Sequence, residues 1–148
     1  MNEDAVVTPP DGFVLFPDSL QFGDAVAPGY YKVDGQGFRT GFFVRQKHIN
    51  SIGICHGGAL MTFADMSFGG NIMHHVKSQV GLPTVSLTID FLAPGHLGDW
   101  LEFHLDHLFT TRLLGTMAAV IEGPHGLVAR TSATFRLPKI PHEPVVAK

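Results

Sequence analysis

Cys55-His56-Gly57-Gly58-Ala59-Leu60-Met61-Thr62-Phe63-Ala64-Asp65-Met66-Ser67-Phe68-Gly69-Gly70 is the stretch around which the chain is organised. A loop signal, Asn50-Ser51-Ile52-Gly53, precedes it, and the pattern runs on to about Lys77 without a proline. That length and spacing predict a helix. Apolar residues fall on most of its sides, so the helix belongs to a core rather than a surface. One acid, Asp65, stands in its middle. A carboxylate in such a setting is costly unless it has a partner or a task.

The region around this helix is poor in charge. Between Asn50 and Gly98 the only formally charged side chains are Asp65, Lys77 and Asp90, so the middle third is core, interface or both. The whole chain of 148 residues carries a formal net charge of −3, which does not suit a nucleic-acid binder. Its length is that of one domain. Low charge with much apolar surface points to self-association. Cys55 is the single cysteine, so no intramolecular disulfide forms and a reducing compartment fits. The acidic start, Met1-Asn2-Glu3-Asp4, is not a secretory signal, and no stretch has the purity of a membrane span. The expectation is a cytoplasmic protein that binds neither nucleic acid nor membrane.

Outward from the helix, the flanks read as strands. Upstream, residues 1–12 form an arm ending in the turn Pro9-Pro10-Asp11-Gly12, and Phe13 to Phe22 reads as a short helix or irregular segment. Ala27-Pro28-Gly29 is a turn. Tyr30 to Val33 and Phe38 to Gln46 are strands around a hairpin at Asp34-Gly35-Gln36-Gly37. Downstream, Thr84 to Leu92, Asp99 to Leu108, Gly115 to Glu122 and Leu127 to Leu137 alternate as strands. In the first of these, Val85, Leu87, Ile89 and Phe91 should share a face. Residues 138–148 are an extended tail. The domain proper is 13–137. One long apolar helix needs cover on most sides, and a curved antiparallel sheet wrapped around it supplies that cover, an α+β architecture. Gly41 and Gly115 are candidate points of curvature.

Two places carry candidate chemistry. At the loop-to-helix junction, Gly57 and Gly58 sit where the first N–H groups of the helix lack partners, a ready site for developing negative charge. The junction reads equally as a plain helix start. Asp65 reads as a general base or nucleophile, or as a buried aspartate bonded to Thr62 or Ser67. Eight positions separate Gly57 from Asp65, about 12 Å along a helix axis. One helix cannot bring both to the same carbonyl carbon. If both act on one substrate, they come from different subunits, and a two-fold axis between antiparallel helices makes two equivalent sites. Asn50 either positions a water or carbonyl or caps the loop. His56 either donates to a carbonyl oxygen or orients the loop. The Thr84 hydroxyl is placed to hold a water or the Asp65 carboxylate. Cys55 is discounted as a nucleophile. The nine histidines show no metal-ligand spacing. His104 and His107, three apart on a strand, should face opposite sides.

The run Asn50-Ser51-Ile52-Gly53-Ile54-Cys55-His56-Gly57-Gly58, with Asp65 seven residues on, resembles the hotdog-fold acyl-CoA thioesterases. The resemblance is to the 4-hydroxybenzoyl-CoA thioesterase-like group, and within it to the phenylacetate-pathway and acyl-CoA thioesterase 13-like enzymes. Thr84 to Pro94 with Gly98-Asp99, and Gly126 to Arg130, extend the likeness over about residues 10–137. It implies a hotdog fold, paired subunits that often form a dimer of dimers, and hydrolysis of an acyl-CoA. It implies Asp65 as base or nucleophile, the Gly57 N–H on the thioester carbonyl, Asn50 and His56 assisting, and Thr84 near the attacking water. No cofactor is expected beyond the coenzyme A of the substrate. Phosphates need basic residues, for which Arg112, Arg136 and Lys139 are candidates, with Arg45 and Lys47 behind them. Gly58 is a candidate for substrate binding, and Met61, Phe68 and Met73 are candidates for an apolar substrate channel along the helix. The rival readings are a non-catalytic acyl-CoA-binding or scaffold protein on the same fold, and a hotdog acyl-carrier dehydratase, whose His-plus-acid pairing fits His56-Gly57-Gly58 poorly.

Overall fold

The computed structural model describes residues 7–17, 20–26 and 29–139. Strands β1 (Val14–Leu15), β2 (Gly29–Asp34) and β3 (Gly37–Phe43) precede helix α1 (Gly57–Val76). Strands β4 (Thr84–Phe91), β5 (Trp100–Thr110), β6 (Leu114–Gly123) and β7 (Gly126–Arg136) follow it. All seven strands join one antiparallel sheet in the order β1-β2-β3-β5-β6-β7-β4. The segment read as a short helix or irregular stretch resolves into the two-residue β1 and a 3-10 helix at Gln21–Ala25. The turn expected at Ala27-Pro28-Gly29 lies mostly outside the described residues, as does the tail beyond Lys139. Val7 packs beside the cluster of Phe13, Tyr30 and Phe43.

The helix lies on the sheet as its apolar character requires. Leu60, Phe63, Ala64, Phe68 and Ile72 are buried against Phe42, Leu101, Phe103, Ile121 and Phe135 of the strands. Phe68 meets the Phe103 ring edge-on at 4.9 Å, and Phe63 meets Phe42 at 4.6 Å. Two polar residues on this face are satisfied locally. Ser67 Oγ donates to the Phe63 carbonyl at 2.7 Å and accepts from Thr40 Oγ1 at 2.6 Å. Asn71 Nδ2 donates to the Ser67 carbonyl at 2.8 Å, so neither side chain is left orphaned in the core.

Bulges, rather than the two glycines singled out from the sequence, account for the register shifts that bend the sheet. They fall at Val85 in β4, at Asp106 in β5, and at Val128 in β7, opposite the step from Ile121 to Glu122. Gly41 and Gly115 serve close packing instead. A Cβ at Gly41 would lie 2.1 Å from the Trp100 ring, and one at Gly115 would lie 2.6 Å from Ile72. The bulge at Asp106 also corrects the parity of the histidines. His104 stands opposite Val120 and His107 opposite Ala118, so they share a face of the sheet instead of opposing one another. In β4, Leu87 and Ile89 pack on the core, but the bulge takes Val85 out of that set, and Phe91 is half exposed.

β4 is the far edge of the sheet. It bonds only to β7 among the described residues, and Val85, Phe91 and Leu92 stand exposed along it. Low charge and an open backbone edge make it the feature of the fold that calls for a partner.

Candidate active site

The loop before α1 is held by its own residues. Asn50 Oδ1 accepts from the N–H groups of Ile52 and Ile54 at 3.1 and 3.2 Å, and Asn50 N donates to the Ile54 carbonyl at 2.9 Å. His48, buried against the Phe42 ring, anchors the base of this loop: His56 N donates to its carbonyl at 2.7 Å. His56 is the N-cap of α1, its Nδ1 accepting from Gly58 N at 2.8 Å. The sequence left Asn50 and His56 between loop-holding and catalytic roles, and their bonds here are loop-holding ones. Gly58, a candidate for substrate binding, has its N–H taken by that cap.

Gly57 differs from its neighbour. The N–H groups of Ala59 and Leu60 both reach the His56 carbonyl, while that of Gly57 makes no hydrogen bond among the described residues. It is the donor the first helical turn leaves open. The Phe91 ring lies over it, so close that a Cβ at Gly57 would come within 3.0 Å of that ring. Asn50, Gly57, Phe91 and Pro94 together line a shallow pocket of about 360 Å³. Phe91 was not among the expected site residues, and only its position at the far end of β4 reveals it.

Two turns along α1, Asp65 is half-buried rather than sealed in the core. Thr84, the first residue of β4, donates from Oγ1 to Asp65 Oδ1 at 2.6 Å. The sequence-predicted partnership of Thr84 with this carboxylate is therefore present. Asp65 stands at the wall of a cavity of about 820 Å³. Met66, Gly69, Gly70 and Met73 of α1 form one side of it, Phe38 and Phe42 of β3 another, and Phe16 and Leu20 close a third. Two of the three expected channel residues lie elsewhere. Phe68 is fully buried on the sheet side of the helix, and Met61, on the turn before Asp65, is exposed and outside the cavity. Met73 lines it. The 3.6-residue period places Gly69 and Met73 four and eight positions beyond Asp65, on its face, a signal present in the sequence.

The basic candidates fall into two groups. Arg136 stands opposite Leu114 on β6, and its backbone N–H donates to the Pro83 carbonyl at 2.9 Å. Arg112 is in the adjoining β5–β6 turn, and Lys139 follows β7. All three are exposed, at the end of the sheet that carries Thr84. Arg45 and Lys47 lie instead at the base of the helix-entry loop, where Lys47 Nζ donates to the Asp24 carbonyl at 3.1 Å. Burial pushes the Cys55 thiol up to about 12, so no thiolate forms there near neutral pH. Among the described residues no three His, Cys, Asp or Glu side chains gather as metal ligands, and no helix is long and apolar enough to cross a membrane.

The thioesterase superfamily profile matches residues 52–129, the span from the loop before α1 into β7. A Pseudomonas aeruginosa protein whose name assigns it, provisionally, to the esterases is 30% identical over 130 residues, covering 87% of this chain and 97% of its own. The chain belongs to the thioesterase superfamily. Among solved structures, a variant of the phenylacetic acid degradation protein PaaI from Thermus thermophilus superposes with a TM-score of 0.68 at 23% identity, covering 79% of this chain and 99% of that one. A Streptococcus pneumoniae protein named as a hypothetical thioesterase and solved with coenzyme A gives 0.59 at 23% identity, covering 69% and 81%. These likenesses show the hotdog fold expected from the sequence. The matched profile contains both Gly57 and Asp65, so each half of the site lies inside the thioesterase superfamily region.

Proposed function

We propose that this protein hydrolyses an acyl-CoA thioester to the free acid and coenzyme A. The observation that carries the reading is the hydroxyl-anchored Asp65 at the wall of an apolar cavity. Superfamily membership supports thioester hydrolysis, and the coenzyme A in the Streptococcus pneumoniae structure supports the choice of thiol.

The complete site takes one half from each of two subunits. β4 runs from Thr84, beside Asp65, to Phe91, over Gly57. A second copy pairing antiparallel along this open edge lays its own Phe91 end beside the first copy's Thr84. Gly57 of the partner subunit then approaches Asp65, and the two-fold axis repeats the arrangement. The exposed Val85, Phe91 and Leu92 are covered in the same step. Pairs of such dimers make the tetramer this reading expects.

In the reaction, the Thr84 hydroxyl holds Asp65 Oδ1 and leaves Oδ2 to take a proton from water. The water oxygen bonds to the thioester carbon. The carbonyl electrons move to its oxygen, where the open N–H of Gly57 at a helix N-terminus receives them. Collapse of the intermediate breaks the carbon–sulfur bond, and the departing thiolate takes up the proton from Asp65. His56 and Asn50 assist by fixing the loop that aims Gly57. Arg112, Arg136 and Lys139 lie at the Thr84 end, where the nucleotide phosphates of the coenzyme would be met. This chemistry uses no cofactor.

Thiol release from a panel of acyl-CoAs tests the proposal. Release with at least one member, lost in Asp65→Asn, is the expected result. No release from any member overturns it and favours an acyl-CoA binder on the same fold, and release undiminished in the variant overturns the role of Asp65. A single turnover in heavy-oxygen water distinguishes direct water attack, which labels the product acid, from a covalent anhydride opened by water at the Asp65 carbonyl, which labels Asp65 instead.

A further inference from the structure

Gly69 and Gly70 are adjacent in the middle of α1, where glycine is the poorest helix former after proline. Gly70 has a packing reason. A Cβ there would come within 2.3 Å of the Phe38 ring, which rests on the bare backbone. Gly69 has none. The nearest atom to a Cβ at Gly69 is on the Phe135 ring at 3.8 Å, an ordinary contact, and the position opens on the cavity. The helix gives up stability at Gly69 and gains only empty space.

That space lies directly beyond Asp65. Gly69 is one turn deeper, about 6 Å along the axis, and Met73 is two turns deeper, about 12 Å. The polar groups on the cavity wall are already used: Thr40 Oγ1 is bonded to Ser67 Oγ, and Ser67 Oγ to the Phe63 carbonyl. Past Met73 the rim turns polar, with His74, Lys77 and Gln79. A hydrocarbon chain suits the wall between Asp65 and Met73, and its end would meet water beyond it.

Resting on the hydrolysis reading above, we propose that Gly69 is the specificity-determining position of this cavity. It admits an unsubstituted, straight acyl chain of medium length, about that of a decanoyl group. Acyl groups too short to pass Gly69 do not feel it. A side chain at this position shortens the pocket to one helical turn.

The test compares decanoyl-CoA with butanoyl-CoA in the full-length protein and in Gly69→Leu. The wild type should favour decanoyl-CoA in kcat/KM. Gly69→Leu should lower the decanoyl-to-butanoyl ratio of kcat/KM at least about tenfold, since removing room for a few methylenes is worth that much. Gly69→Ala should fall between the two and melt at a higher temperature, because alanine favours the helix. A ratio unmoved in a folded Gly69→Leu, or a wild type that prefers butanoyl-CoA, overturns the proposal. If Gly69→Leu does not fold, the Gly69→Ala ratio decides. If the wild type releases thiol from no thioester, hydrolysis is the reading that fails. Binding of S-decyl-CoA against S-butyl-CoA then decides the pocket alone: decyl preference lost in Gly69→Leu supports it, and equal binding to both proteins overturns it.

Discussion

The first turn of α1 and its middle turn are built from parts at very different distances along the chain. Around Gly57 the bonds join near neighbours: Asn50 to Ile52 and Ile54, His56 to Gly58. Around Asp65 they join remote ones: Thr84 lies nineteen positions away, and the facing Phe38 and Phe42 come from a strand before the helix. The chemistry divides the same way. The first turn offers an open N–H and no carboxylate. The middle turn offers a carboxylate and a cavity but no open backbone donor, because its N–H groups are spent in the helix. Each region lacks what the other has, which is the physical reason the proposed reaction draws on a second copy to join them.

The comparison breaks most sharply at Asp65. Asp65→Asn keeps the shape and the Thr84 contact but removes the base, and should lower kcat by about 10²–10⁴ with little change in melting temperature. Steady-state thiol release checks the first and thermal unfolding the second. Next comes the other half. Gly57→Ala pushes a methyl group against the Phe91 ring and should cost about 10- to 100-fold in kcat through the displaced N–H. If the halves belong to different subunits, mixing Asp65→Asn with Gly57→Ala through unfolding and refolding should restore about a quarter of wild-type activity, since half the dimers are mixed and each has one intact site. Activity of the mixture no higher than the average of the two variants would place both halves in one chain.

A smaller effect separates the regions by pH. Burial, with Lys47 and Arg45 nearby, holds the His48 imidazole down to about 4 from its ordinary 6.5, and its Nε2 has no partner among the described residues. The unfolded chain therefore takes up a proton that the folded one refuses. The stability from neutral His48 is fully present above pH 6.5 and is lost as pH falls toward 4, by roughly 2–3 kcal/mol. Urea titrations of the wild type and His48→Gln across that window should show the extra slope only in the wild type. The smallest effect is Thr84→Val. Losing one hydrogen bond to a carboxylate should lower kcat about tenfold and leave the fold intact. A loss as large as that of Asp65→Asn would show that Thr84 does more than hold Oδ1.

Much of this was visible in the sequence for a local reason. The helix, its glycine start and Asp65 lie within one continuous stretch, and the hairpins are marked by Asp34-Gly35-Gln36-Gly37 and Gly123-Pro124-His125-Gly126. The errors arose where tertiary contacts overrule local pattern. Phe68 and Met61 are apolar helix residues like Met66, and only the position of the sheet decides which of them faces the cavity. The bulges at Asp106 and Val85 shift the alternation by one, which moved His107 and Val85 to faces the period-two rule does not assign.

The sequence by itself determined the helix, its two chemically distinct turns and the 12 Å between them, because helical rise and residue order are local properties. Tertiary structure alone decided what each turn faces. Thr84 reaches Asp65 and Phe91 covers Gly57 because β4 crosses to the far edge of the sheet, and the cavity wall takes its shape where Gly70 packs on Phe38 of β3 and Gly69 leaves open space beside it. Such contacts depend on how remote segments pack, and no short window of sequence records that.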